Sequence, residues 1–270
     1  MKIIEKLKNK LITAIFKRYA YIESELIDTA ILHKETFLSY KNLCNGEKDV
    51  VVCGAGPSLN KYKPIDGAIH IAVNRAFLFD KVNFDFIFAQ DYEGINMVQE
   101  QLINYRKDSC VKFLGTQPIG NPKKVIPESL IIKAGAKKFN TDWFIPDGPV
   151  NGKLVVDIDK KPLCNMYNVG QSVMQLALYF NPRRIYIVGC DMSGNHFARG
   201  NQTDEEVEAQ RKIMESRWTN LTKDLLRRWS EIKEFAKIYY PDTEIISVNP
   251  VGLKGMFKDW CQEEEPKSEK

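Results

Sequence analysis

The chain has 270 residues, 44% of them hydrophobic and 27% charged, with a formal net charge of +4. That balance excludes a largely disordered chain, leaves ample apolar material for a core, and argues against nonspecific nucleic-acid binding by the whole molecule. No apolar run approaches the roughly 20 residues that cross a bilayer, and the basic N-terminus lacks the continuous apolar stretch of a signal peptide.

Residues 1–40 read as helix. Ile4, Leu7, Leu11 and Ile15 recur at spacings of three and four, so they share a face. Between them stand Lys2, Lys6, Lys8, Lys10, Lys17 and Arg18, against the single acid Glu5. Two readings follow: a helix packed on the main domain with a solvated basic side, or a helix lying on an anionic membrane surface through residues 2–18.

After Gly46 the pattern changes. Asp49–Cys53 is a short run of β-branched residues that ends in Gly54-Ala55-Gly56-Pro57-Ser58, a buried strand followed by a tight turn. Further strands are predicted at Ala68–Val73, Phe84–Ala89, Val111–Leu114, Leu130–Lys133, Arg184–Val188 and Glu244–Val248. Uninterrupted apolar runs of this kind suit parallel strands covered on both faces. Helical patterns cover Asn168–Phe180 and Asp204–Ile238, and the alternation indicates an α/β domain with a largely parallel sheet and helices on both faces. Prolines and glycines between Gly115 and Leu163 predict loops and a small insertion. The chain divides into an N-terminal amphipathic helical extension (1–48), an α/β domain (49–260) and a charged, frayed tail (261–270).

Six cysteines (Cys44, Cys53, Cys110, Cys164, Cys190, Cys261) show no CxxC spacing, and the chain has three histidines. No zinc or other metal site is expected, and the thiols are predicted reduced and mostly buried, as in a cytoplasmic protein. His33, in the helical region, and His70, in an apolar strand, are expected to be structural.

The glycine turn after the first strand is the strongest local signal. Gly54 and Gly56 are expected to let a polar or anionic group approach the main chain, and Ser58 adds a hydroxyl. Leu59 stands where a dinucleotide fingerprint needs its third glycine, and no Gly-Lys-Ser/Thr follows, so this is neither fingerprint nor P-loop. Two more strands end in polar pairs, Asn74-Arg75 and Gln90-Asp91. Asn168-Val169-Gly170-Gln171-Ser172 opens an apolar helix whose N-terminus suits a phosphate. Arg184–Val188 runs into Gly189-Cys190-Asp191-Met192-Ser193-Gly194-Asn195-His196, which places Asp191 and His196 on one strand-end loop as acid–base candidates. Each feature taken singly also reads as an ordinary turn.

This order of motifs resembles the CMP-sugar-dependent glycosyltransferases of bacterial surface polysaccharides, both sialyltransferases and the Kdo transferases of the lipopolysaccharide core. The strand into Gly-x-Gly-Pro-Ser-Leu, the Val73-Asn74 strand end, Asn168–Ser172, the Gly189-Cys190-Asp191 loop and Val248-Asn249-Pro250 carry the likeness over roughly residues 49 to 257. The framework is also similar to the MptE-like domain of flagellin-modification proteins and of an archaeal pterin diphosphokinase. The resemblance implies a Rossmann-like fold, a GT-A-like variant, that binds a CMP-sugar as donor substrate. Nucleotide contacts are then expected at Gly54, Ala55, Gly56, Pro57, Ser58, Asn74, Arg75, Gln90, Asp91, Gly170, Gln171, Ser172, Gly189 and Asn249, with Asp191 and His196 catalytic.

On this reading a 2-keto sugar acid passes to a lipopolysaccharide or other cell-surface glycan, with no obligatory metal or cofactor and no nucleic-acid partner. The enzyme would be cytoplasmic, peripheral on the inner face of the cell membrane. The charged stretch from Asp204 to Arg217 is a candidate lid. The sialyltransferases place a histidine base well downstream of their aspartate, whereas here no histidine follows His196. The alternatives are an ATP-using pterin pyrophosphokinase and a noncatalytic nucleotide-binding protein of envelope assembly.

Overall fold

A computed structural model describes residues 2–90, 92–117, 125–142, 152–165, 168–192 and 204–262, without the side chains of 2–5 and most of 204–222. Eight strands form one sheet: β1 (Asp49–Cys53), β2 (Ile69–Val73), β3 (Phe86–Ala89), β4 (Val111–Gly115), β5 (Lys137–Phe139), β6 (Arg184–Val188), β7 (Glu244–Val248) and β8 (Lys258–Trp260). Their order is β5-β4-β3-β2-β1-β6-β7-β8 and every pairing is parallel. The helices are α1 (Lys2–Phe37), α2 (Gln99–Asn104), α3 (Glu128–Lys133), α4 (Val169–Tyr179) and α5 (Asp204–Tyr239). This is the expected α/β architecture of Rossmann-like type.

Successive side chains of a strand face opposite ways, and β1 shows why its continuous apolar run is needed. Val50 and Val52 enter one core with Phe37, Val173, Met174, Leu176, Trp229 and Ile232, so the end of α1, α4 and α5 cover that face. Val51 and Cys53 enter the other with Leu59, Tyr62, Phe77, Phe79, Leu102 and Leu130, supplied by short helices and turns.

Three details differ from the sequence reading. Leu130–Lys133 is not a strand but the body of α3, preceded by Pro127 as N-cap and opened by Glu128. Leu130 and Ile131 are buried while Ile132 is 69% exposed, a one-sided burial that a helix produces and a doubly covered strand does not. The outer strands β5 and β8 have three residues each and carry Lys137, Lys138, Lys258 and Asp259, so no apolar run announced them.

Among its described side chains, helix α1 is anchored by its last turns. Thr29, His33, Thr36 and Phe37 are buried, whereas every residue from 6 to 21 is exposed. The Thr36 hydroxyl donates to the Lys138 carbonyl at 2.7 Å. His33 Nδ1 faces the carbonyls of Ile158 (2.8 Å) and Lys161 (2.9 Å), so it carries the proton, and Nε2 accepts the Asn140 N–H at 2.8 Å. Both ring nitrogens are thereby engaged in the neutral form, and His33 is structural, as is His70 beside Tyr62 and Asp85. The described cysteines are all free thiols, four of them buried.

Burial lowers the His33 pKa from 6.5 to about 4. The unfolded chain therefore binds a proton that the folded one rejects between those values. The His33 contribution to stability is complete above pH 6.5 and is lost as pH falls toward 4. Urea denaturation at stepped pH should show this loss, on the order of 2–3 kcal/mol, in the natural chain and a flatter profile in His33→Gln.

Candidate functional site

Going outward from β1 the chain builds β2 to β5 on one side, then returns with β6 on the other. The crevice beyond the carboxyl ends of β1 and β6 is therefore the topological switch point, where open α/β sheets bind ligands. Both of the strongest sequence motifs lie there.

The two loops grip each other. Gly54 N–H donates to the Val188 carbonyl and Gly56 N–H to the Gly189 carbonyl, each at 2.8 Å. A Cβ on Gly54 would lie 2.5 Å from the Gly189 oxygen, and one on Gly56 would lie 2.6 Å from it and 2.8 Å from Asp191 Cγ. Gly189 itself has a φ of +69°, a left-handed conformation that costs glycine little. The sequence reading gave the space over these glycines to a ligand; in the structure the neighbouring loop fills it.

Asp191, almost fully buried, completes the grip. Ser58 N–H donates to its Oδ2 at 2.6 Å and the Ser58 hydroxyl donates to its Oδ1. The carboxylate thus caps the short 3-10 turn Pro57–Lys61 in the place where an anion was expected. With both oxygens accepting from Ser58, Asp191 is built as a clamp between two strand ends. A cavity of about 10 Å³ between this clamp and residues 247–253 is the size of a single water site.

Helix α4 points its N-terminus at the same place. A Cβ on Gly170 would stand 3.5 Å from Cys190 Sγ, and one on Gly54 would stand 3.0 Å from it, so Cys190 lies between the two segments. Its thiol, pushed up to about 12 by burial, stays protonated. Asn168 is the N-cap, its side chain accepting the Gly170 N–H at 2.7 Å. Gln171 and Ser172 are wholly buried: Gln171 donates to the Leu225 carbonyl of α5 at 2.7 Å, while its Oε1 and the Ser172 hydroxyl have no partner.

The remaining candidates spread along the carboxyl edge. Asn74 follows β2 with a φ of +51°, its side chain against Gly94, and Arg75 next to it is half-buried. Gln90 follows β3 and is buried. Asn249, beyond β7, bonds Gln262 through its side chain and Trp260 through its main chain, and so closes the far edge. Asp91 and His196 lie outside the described residues, as does the tail from residue 263. The structure thus gathers Gly54–Ser58, Gly189, Asp191 and Gly170 at one point and sets Asn74, Arg75 and Gln90 along the neighbouring strand ends.

Sequence reasoning missed a second polar group on that edge. Gln90 donates to Asn165 Oδ1 at 2.8 Å, and Asn165 N–H donates to Asp142 Oδ1 at 2.7 Å. Asp142 and Asn165 are 23 residues apart and belong to no motif; the parallel bridge Thr141↔Leu163 brings them together. Burial raises the Asp142 carboxyl to about 6, against the Asn165 N–H and the Arg228 guanidinium, which lower it.

No family model and no curated protein sequence matches the chain. Among solved structures it is similar to the sialyltransferase CstII in complex with a trisaccharide acceptor and CMP, at 12% identity over 74% of this chain and 80% of that one, TM-score 0.43. It is also similar to CstII from Campylobacter jejuni in complex with the substrate analogue CMP-3FNeuAc, at 12% identity, again over 74% and 80%, TM-score 0.41. At that identity and TM-score, what those enzymes bind is a property of those enzymes.

The grip predicts its own fragility. Gly56→Ala should cost about 1–3 kcal/mol by overpacking, and Ser58→Ala, which leaves Asp191 short of a donor, about the same. Chemical denaturation measures both, and Ser230→Ala at an exposed helical position should be far milder.

Proposed function

We propose that this chain is a glycosyltransferase that passes a 2-keto sugar acid, Kdo or a sialic acid, from its CMP-activated donor to a lipopolysaccharide or other cell-surface glycan. The observation that carries the reading is the convergence of Gly54–Ser58, Gly189–Asp191 and the start of α4 at the switch point between β1 and β6. The motifs that resemble the CMP-sugar enzymes are the ones that meet there. The donor already contains a good leaving group, so the protein must hold it, exclude water and relieve the acceptor hydroxyl of its proton. The positive end of α4 and the Arg75 guanidinium are the chain's contributions to stabilising the departing phosphate. Asp191 supports them by fixing the two loops.

A thermal-shift panel of CMP, CDP, ATP with magnesium, and NAD tests the donor class. CMP at a hundredfold excess over its Kd should add about 2.7 kcal/mol of stability and the others much less. A response to ATP with magnesium alone would sink the reading in favour of a kinase, and no response to any would leave a nonenzymatic protein.

The acceptor class supports a membrane surface as the workplace, and α1 has suitable chemistry. Leu7, Leu11, Ile15 and Phe16 are 61%, 63%, 58% and 70% exposed, among Lys6, Lys8, Lys10, Lys17 and Arg18. No described helix is long and apolar enough to cross a membrane, so α1 would lie in the interface, each basic side chain adding about 1 kcal/mol on an anionic leaflet. The full chain should float with phosphatidylglycerol vesicles at low salt and not with phosphatidylcholine. Changing Leu7, Leu11 and Ile15 together to Ser should abolish flotation; equal flotation of the two chains would remove α1 from the account.

A further inference from the structure

Some polar groups along the carboxyl edge of the sheet satisfy one another. Thr116 bonds Asn140, and Gln117 Oε1 accepts from both the main chain (2.8 Å) and the hydroxyl (3.1 Å) of Thr141. The group formed by Gln90, Asn165 and Asp142 carries two orphans on one bonded pair. All three are buried, at 1%, 2% and 5% exposure, and once Gln90 has donated to Asn165, Gln90 Oε1 and Asn165 Nδ2 have no partner. A buried amide atom left so costs about 1–3 kcal/mol, and here an orphan acceptor and an orphan donor belong to one bonded pair. One hydroxyl satisfies both, donating to Gln90 and accepting from Asn165.

The platform is rigid. Residues 163–165 are held on one side by the 140–142 segment, with Leu163 N–H on the Asn140 carbonyl (3.1 Å) and Asp142 N–H on the Leu163 carbonyl (2.9 Å). On the other, the Gln175 amide of α4 both accepts from Cys164 N–H (2.9 Å) and donates to the Cys164 carbonyl (3.0 Å). Gln90 directly follows β3, two strand spacings from β1. That is roughly 10 Å from the switch point, the reach of a sugar attached to a nucleotide held there.

We propose that Gln90, Asn165 and Asp142 form the acceptor-sugar subsite, in which Gln90 and Asn165 hold one hydroxyl and Asp142, bonded to the Asn165 main chain, is the base that takes the proton of the adjacent, reacting hydroxyl. The base assignment rests on the transferase reading, and it leaves Asp191, whose two oxygens both accept from Ser58, to hold the loops. In the step, the acceptor O–H bond breaks and the proton goes to Asp142. The freed pair bonds the anomeric carbon, and the carbon–oxygen bond to the phosphate breaks, its pair leaving with CMP. The titratable neighbours of Asp142 are Arg228 of α5, which lowers its pKa and is itself paired with Glu231, and the Cys164 thiol, which burial keeps protonated and neutral. A carboxylate brought to about 6 is ionised at neutral pH and a better base than an ordinary one.

Two measurements on the full chain decide this. With CMP-Kdo or CMP-sialic acid as donor and lactose as acceptor, Asp142→Asn should lower kcat about 10²–10⁴-fold, leave the KM for donor unchanged, and remove an activity limb near pH 6. Turnover and limb like those of the natural chain would overturn the proposal. Independently of turnover and of whether the variant folds, the carbon-13 carboxyl resonance of Asp142 in the natural chain should shift saturably with lactose or free Kdo at saturating CMP. An unmoved resonance with both saccharides overturns it. A moving resonance without consumption of either donor supports the hydroxyl subsite and sinks the transferase reading instead.

Discussion

A close approach of glycine backbone to glycine backbone, between the loops that follow β1 and β6, sets the terms for the rest. Gly54 and Gly56 lie on the Gly189 carbonyl with no room for a side chain. This contact joins the two wings of the sheet beyond the point where strand pairing ends, and Asp191 locks it through Ser58. Cys190 then fills the gap to α4, so one tight contact aligns three segments. Such a junction tolerates little volume change, because a packed interior shifts as a unit rather than yielding locally.

The two edges of the sheet use polar chemistry in opposite ways. At the amino edge Arg183 pairs with Asp49 at 2.9 Å, Arg184 with Glu244 at 3.4 Å and Lys258 with Glu244 at 2.6 Å, mostly in solvent. Exposed pairs of this kind contribute about 0–1 kcal/mol each. At the carboxyl edge the polar groups are amides, hydroxyls and carboxylates, buried and in part unsatisfied. The stable edge is wet and saturated, while the edge with unspent bonding capacity is dry. A parallel sheet makes that asymmetry easy to build, since every strand delivers its last residue to the same side.

The central strands were legible because burial on both faces leaves a direct trace: Val50 to Cys53 and Ile185 to Val188 must be apolar at every position. Leu130 to Ile132 carries the same trace over too short a span to distinguish strand from helix, and only the tertiary setting exposes Ile132. The edge strands β5 and β8 left no trace, because three residues each, all exposed in β8, demand almost nothing of composition. Of the site, the glycine turn, Asn168 and Asp191 could be read as local motifs, although the structure gives the glycines a packing reason in place of a ligand. Asp142 and Asn165 could not be read, since their juxtaposition is made by a bridge between distant segments.

The anchoring of α1 bears on how the chain comes into being. Its partners are the carbonyls of Lys138, Ile158 and Lys161 and the amide of Asn140, between 102 and 128 residues further along. During synthesis at about 5–20 residues per second, the helix therefore leaves the ribosome several seconds before anything exists for Thr29, His33 and Thr36 to bond. Throughout that interval its apolar stripe is uncovered along the whole length. A nascent chain with this order of events is drawn early to any chaperone or lipid surface nearby, and closure of the sheet around β5 is the event that releases the last turns of α1 into the core.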